Sequence, residues 1–295
     1  MISENNKFRE ALFYYDFEPF VQEKQYGVSI ISVVKSSNLS INIFNSVCDN
    51  IWKLASYPDK IEHIIAFDHN DMPMLNFCKS YKDRSQYKKH IKLIAVQPYD
   101  YSSRNIHKQY WNKLAHLASG HVVFAACHDT LITTQGYDKI LLKRLRKFQQ
   151  KYKHDCVQFL VDDDSDNHKN SINPQVQKWP RNECCSWIVL SKSAVNLIGG
   201  VTSDLFRFDS ADQWTYNLFK RCKHKTQLNL RNKIKTKHVS FYTGRSEVDT
   251  QLVDSRQDLM RKFGPLDWKR VDASPYINRI DSYVENYNRQ GDHNG

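Results

Sequence analysis

A mostly parallel, open α/β sheet is the fold class that the sequence predicts, and two observations predict it. Short β-branched runs recur along the first half: GVSIISVV from Gly27, IEHIIAF from Ile61, IKLIAV from Ile91 and HVVFAA from His121. A strand buried on both faces reads as just such a continuous apolar run. Strand and helix patterns also alternate about four times before residue 150, the order that lays helices on both faces of a parallel sheet. The composition can bury the core this fold needs. Of 295 residues 40% are hydrophobic and 13% aromatic, with 9 Gly and 8 Pro, which excludes collagen-like and disordered chains.

The first strand, Gly27 to Val34, is followed by SSNLSINIFNSVCDNIWKLA. Leu39, Ile43, Val47, Ile51 and Leu54 fall at helical spacing there behind a Ser/Asn cap, and the helix ends before Tyr57-Pro58. The second strand, Ile61 to Phe67, runs directly into Asp68-His69-Asn70-Asp71. Open α/β sheets bind ligands at the carboxyl ends of their strands. Ile91 to Val96 is the third strand. Ile106 to Ala118 is expected to be a helix with Trp111, Leu114, Ala115 and Ala118 inward and Ser119-Gly120 as its C-cap. His121 to Ala126 is the fourth strand, and if parallel it delivers Cys127-His128-Asp129 to the edge that holds Asp68. The helix from Tyr137 to about Lys153 is amphipathic, carries seven Lys/Arg, and has no acid between Lys139 and His154. A second half opens with a strand near Cys156 to Val161, then the acidic loop DDDSDNHKN, a strand from Trp187 to Leu190, a short helix from Ser191 to Ile198 stopped by Gly199-Gly200, and a helix from Asp212 to Arg221. After about Pro275 the chain turns Tyr/Asn/Arg-rich and is expected to fray.

Lys plus Arg exceed Asp plus Glu by 43 to 32, a net charge of +11 that favours anionic partners. The seven cysteines form no CxxC pair, which argues against a zinc knuckle or a secreted disulfide framework. The first residues carry acids where a signal peptide needs a basic and then an apolar segment. Cytoplasmic residence is the expectation, and basic segments suit peripheral membrane contact.

The order of motifs resembles the family 2-like glycosyltransferases of the GT-A fold. The segment ASGHVVFAACHDTLITTQGYDKIL is similar to the family's small-residue turn, strand and metal-acid segment, with Asp129 on the second acid and Cys127 in place of the first. LSKSAVNLIGGVTSDLFRFDSADQW resembles the segment that ends at the catalytic base, which puts Asp212 on that position. A third likeness runs from His238 through Gly244 to Asp249-Thr250, with Ser240 where the family has a second His. The resemblance covers roughly residues 27 to 250. It implies an N-terminal extension (1–26), a nucleotide-sugar-binding half (27–135), an acceptor-binding, catalytic half of the same domain (136–250) and a C-terminal extension (251–295).

What the resemblance implies for chemistry is inverting transfer of a sugar from a nucleotide-sugar donor to a hydroxyl on a glycan, lipid-linked or protein acceptor, with no specific nucleic acid. Asp212 would accept the acceptor proton; Asp68, Arg104, Asn112 and Asp129 would contact the donor; Asp129 and His238 would hold Mg2+ or Mn2+ against the diphosphate. Each residue has a plainer reading. Asp212 N-caps a helix, Asp68 is a turn acid, Arg104 is a surface cation and His128 is a packed strand-end histidine. Asp162, Asp163, Asp164 and Asp166 read as a solvated loop rather than a metal site, because the Gly and Glu of a calcium loop are missing. Trp179, Trp187 and Trp214 are candidates for a sugar-stacking platform or for the core. Cys156, Cys184 and Cys185 read as core. The rival readings are a catalytically silent GT-A-fold binding protein, a basic nucleic-acid-binding protein and, third, a nucleotidyltransferase, for which Lys35 lacks the glycines of a phosphate loop.

Overall fold

A computed structural model describes residues 12–14, 26–36, 38–96, 110–162, 187–203, 211–239 and 271–292. Its centre is an eight-stranded sheet in the order β1-β4-β3-β2-β5-β8-β7-β9. The strands are β1 (Leu12–Tyr14), β2 (Val28–Val34), β3 (Ile61–Asp68), β4 (Ile91–Val96), β5 (Val122–Ala125), β7 (Gln158–Leu160), β8 (Ile188–Ser191) and β9 (Gln227–Asn229). Between β5 and β7 in sequence lies β6 (Thr130–Ile132), which pairs antiparallel with β10 (Thr236–His238) in a separate ribbon. Strands β4, β3, β2 and β5 run parallel, as the apolar runs predict. The structure adds antiparallel neighbours, β1 on β4 and β8 between β5 and β7. Part of the N-terminal extension is therefore an edge strand.

Alternation along each strand divides the core into two layers. Ile61, Ile65 and Phe67 of β3 join Val28 and Ile30 of β2 on one face, covered by α1 (Asn38–Lys53), α2 (Met72–Arg84) and α4 (Tyr137–Tyr152). Ile64 and Ala66 join Ile31 on the other, covered by α3 (Asn112–Leu117), α5 (Lys192–Ile198), α6 (Ala211–Arg221) and α7 (Ser274–Asp292). Each such Ile contributes about 1.5–3 kcal/mol by leaving water.

Three expectations are corrected. The C-terminal segment does not fray at Pro275: α7 is a 19-residue helix whose Ile280 and Val284 are fully buried, an apolar stripe that the surrounding Asn, Arg and Tyr hide in the sequence. Ser119-Gly120 does not cap α3. Ala118 is the C-cap, in an extended conformation, while Trp111, half-buried, packs against the core as expected. Gly120 is there because a Cβ would meet the Ser29 backbone nitrogen at 2.6 Å, and a backbone cannot step aside as a side chain can. Helix α2 emerges where the strand runs gave no notice of it, capped by Asp71, with Pro73 in its first turn.

Buried polar groups staple the parallel half. Glu62, fully buried in β3, accepts from Ser29 Oγ (2.5 Å), Ser119 N (2.5 Å) and Ser119 Oγ (2.9 Å) and pairs with Lys92 Nζ at 2.6 Å. Ser29 Oγ in turn accepts from Gly120 N at 2.7 Å. One carboxylate thus joins β2, β3, β4 and the entry to β5.

Candidate active site

Because β2, β3 and β5 are parallel, their carboxyl ends share one edge of the sheet. At the end of β3, Asp68 is buried and its Oδ1 accepts from Tyr110 Oη at 2.9 Å, which aims the carboxylate along that edge. Three residues on, Asp71 accepts from Met74 N (3.1 Å) through Oδ1 and from Ser36 N (2.7 Å) through Oδ2. The second bond ties the loop after β2 to the head of α2. Sequence reasoning singled out Asp68 within DHND and gave Asp71 no role. The signal that separates them is the Met-Pro that follows Asp71, which marks it as a helix cap.

Beyond β5, Thr130 N donates to Cys127 O at 3.0 Å and closes a turn that presents Cys127, His128 and Asp129. Cys127 and His128 are half-buried and Asp129 is buried. The β6–β10 ribbon pairs Thr130 with His238, and Val239 N donates to Asp129 O at 3.0 Å, so the backbone of His238 lies beside that of Asp129. Two segments about a hundred residues apart, each singled out in the sequence, are thereby neighbours.

The electrostatics draw in a third. Burial pushes the Cys127 thiol well above its ordinary range, and the carboxylates of Asp129 and then Asp212 push it further. The thiol is neutral, and both carboxylates lie within electrostatic reach of its sulfur. Asp212 is half-buried in the first turn of α6, one residue inside the helix start, where its charge complements the helix dipole.

Other expected site residues go elsewhere. Asn112 is a structural bracket: its Oδ1 accepts from Val201 N (2.9 Å) and Thr202 N (3.3 Å), and its Nδ2 donates to Thr202 O (2.9 Å). At 3% exposure it clamps α3 to the turn after α5 and has little surface for a donor. Trp187 donates to Thr236 Oγ1 (2.6 Å) and Trp214 to Val271 O (3.3 Å); both rings are buried, so neither forms a stacking platform. Asp162 is not a solvated loop acid. It is buried and pairs with Lys235 Nζ at 2.8 Å, which leaves it unsuited to a cation. Cys156 is core, as expected. Arg104, Asp163, Asp164, Asp166, Trp179, Cys184, Cys185, Gly244 and Asp249 lie outside the described residues.

A divalent cation would need hard oxygen ligands here. Among the described residues, no three His, Cys, Asp or Glu side chains are grouped to hold a metal ion. A protonated thiol at Cys127 is a poor ligand for Mg2+. Mg2+ and Mn2+ sites commonly combine one or two carboxylates with water and substrate phosphates. The donor set around Asp129 fits a cation shared with a diphosphate and does not fit an all-protein cage.

No protein-family model matches the chain, and no curated protein matches it in sequence. Among solved structures, the mannosyltransferase PcManGT from Pyrobaculum calidifontis, in complex with GDP-Man and Mn2+, matches with a TM-score of 0.52 at 11% identity, over 90% of this chain and 74% of its own. TarS 1-349 of S. aureus matches with a TM-score of 0.46 at 14% identity, over 70% of this chain and 58% of its own, so the chain spans less than two thirds of that protein's length. A cytidylyltransferase from Leptospira borgpetersenii gives 0.42 at 9% identity, over 89% of this chain and 94% of its own. Identities this low speak to architecture alone. With the mostly parallel sheet flanked by helices, the mannosyltransferase match shows that the chain has the GT-A fold.

Proposed function

We propose that the chain is a glycosyltransferase that moves a sugar, with inversion, from a nucleotide-sugar donor to a hydroxyl acceptor. The observation that carries this reading is the gathering of Asp68 and of Asp129, the latter beside the His238 backbone across the β6–β10 ribbon, at the carboxyl edge of a parallel sheet. The mannosyltransferase of the same fold, in complex with GDP-Man and Mn2+, supports a donor of this class.

In this reading Asp68 accepts hydrogen bonds from the nucleotide, with Tyr110 fixing its rotamer. The resemblance assigns Arg104 to the donor nucleotide as well. Asp129, with His238 from the neighbouring strand, would hold a Mg2+ or Mn2+ ion, which would supply positive charge to the leaving group. Asp212 takes the proton from the acceptor hydroxyl as its oxygen bonds to the anomeric carbon. The bond from that carbon to the diphosphate oxygen breaks, and the nucleoside diphosphate leaves with the electron pair.

The test is donor hydrolysis and transfer across a panel of nucleotide sugars with Mn2+. Asp212→Asn is expected to lower kcat by about 100- to 10,000-fold, while Lys88→Ala, on the opposite edge, keeps full activity. An Asp212→Asn variant within about threefold of wild type contradicts the assignment. The neutral Cys127 favours a second reading, a silent GT-A-fold binding protein, which shows as nucleotide binding without turnover in the wild type.

A further inference from the structure

Helix α4 is amphipathic in an unusual way. Leu141, Leu145 and Phe148 are buried against the sheet, and Lys139, Lys143, Arg146, Lys147 and Lys151 are exposed. These five cations fall at i, i+4, i+7, i+8 and i+12, which sets them in one stripe about 18 Å long, opposite the buried side. Lys153 follows directly, and no acid interrupts the run to His154. Among the described residues none of these cations is in an ion pair with a carboxylate. Like charges at i and i+4 destabilise a helix, so Lys139/Lys143, Lys143/Lys147 and Lys147/Lys151 all oppose folding. A stripe that folding does not favour points to a partner.

We propose that the exposed stripe of α4 docks on an anionic lipid bilayer. A cluster of four to eight Lys/Arg on a helix has the charge density that recruits anionic headgroups, each cation adding to the attraction near the surface. The shape suits a plane better than a nucleic acid. The buried side is embedded in the sheet layer along the helix, so α4 does not protrude as a helix must to enter a major groove. Single-strand sites interleave cations with exposed aromatic rings. Here Phe148 is buried, and Tyr152 is half-buried between Phe148 (centroids 4.7 Å apart) and Lys151, whose Nζ lies 5.2 Å from its ring centre.

The placement orients the molecule. Gly136 N, at the head of α4, donates to Leu54 O beyond the end of α1, and Leu142 packs on Gly27, just before β2. The stripe is thus associated with the amino ends of the strands, roughly 20 Å along β2 from the edge that holds Asp68 and Asp129. Docking leaves that edge open to soluble nucleotides, and the inference stands whether or not transfer occurs.

The experiment is co-sedimentation of the full chain with vesicles of phosphatidylcholine, alone or with about 30% phosphatidylserine. Wild type is expected to bind only the anionic vesicles and to release them at about 0.5 M NaCl. The reversal set K143E/R146E/K147E is expected to lower partitioning roughly 100-fold. The distal reversal R279E/R289E, on α7 over the other face of the sheet, is expected to change it less than about fivefold. If the reversal set fails to fold, K143Q/R146Q/K147Q replaces it and is expected to lose roughly tenfold or more. Equal losses in the stripe and distal variants, or no preference for anionic vesicles, overturn the proposal. So does wild-type binding that is tighter to a single- or double-stranded oligonucleotide than to vesicles and is lost in the same stripe variants.

Discussion

The two halves of the sheet are built on different terms. In the parallel half, β3 is buried at all eight positions, and Glu62, Ser29, Ser119 and Lys92 satisfy one another across three strands and the entry to a fourth. In the other half, β7, β8 and β9 are three or four residues long. Buried polar atoms lack partners among the described residues in both halves, His63 Nδ1 and Thr130 Oγ1 in the first and His154 Nδ1, Gln158 Nε2 and Asp281 Oδ2 in the second. The parallel register of β2, β3 and β5 fixes where Asp68 and Asp129 stand. The short strands leave more of the work to side chains and loops.

The sharpest way to break this contrast is to remove one carboxylate from each half. Glu62→Ala strands two hydroxyls, a backbone N–H and Lys92, and is expected to cost about 3–5 kcal/mol by chemical denaturation. Asp281→Asn keeps an oxygen for Lys223 N, now at 3.1 Å from Oδ1, and is expected to cost less than about 1 kcal/mol. Comparable losses would erase the distinction between the halves.

Asn112→Ala is next in size. It leaves Val201 N, Thr202 N and Thr202 O without their present partner, for an expected loss of about 2–3 kcal/mol at unchanged nucleotide affinity. A loss of nucleotide binding in a variant that keeps its stability would restore Asn112 to the donor site.

Acid pH sharpens the comparison further. Burial lowers the pKa of His63 from 6.5 to about 3, so the unfolded chain takes up a proton that the folded chain refuses. Its contribution to stability is complete above pH 6.5 and is lost as pH falls from there toward 3, at up to about 1.4 kcal/mol per pH unit. In the other half, burial lowers the pKa of His154 too, but Asp155 pulls it back up. Urea denaturation between pH 7 and pH 4.5 is expected to show a steeper decline removed by His63→Gln than by His154→Gln. Cys127→Asp is the smallest change: a second hard ligand beside Asp129 is expected to lower the Mn2+ concentration needed for nucleotide binding by roughly tenfold.

The same contrast explains what the sequence could tell. β2, β3, β4 and β5 are legible because a strand buried on both faces must be apolar throughout, and their parallel order gathers Asp68 and Asp129 at one edge. The polar intrusions in β3 carry a meaning the sequence reading did not draw. Glu62 and His63 interrupt an apolar run, and a polar residue in such a run is buried with a partner, as Glu62 is. Helix α7 escaped because its buried Ile280 and Val284 sit among exposed Asn278, Arg279, Glu285 and Asn286. Asn112 escaped for another reason. Its partners Val201 and Thr202 are about ninety residues away, and no local pattern records a contact that the fold creates.

The measurement that bears most directly on the central claim is thermal stabilisation of the full chain by uridine, guanosine, cytidine and adenosine diphosphates, with and without Mn2+, in wild type, Asp129→Asn and Asp212→Asn. A ligand that binds only the folded state raises Tm in proportion to its occupancy. The expected result is a Mn2+-dependent rise for one nucleotide, abolished in Asp129→Asn and retained in Asp212→Asn, since in the proposed reading the first would hold the cation against the diphosphate and the second would only receive a proton. A chain that no nucleotide stabilises, with or without Mn2+, contradicts the assignment of this edge to a nucleotide-sugar donor.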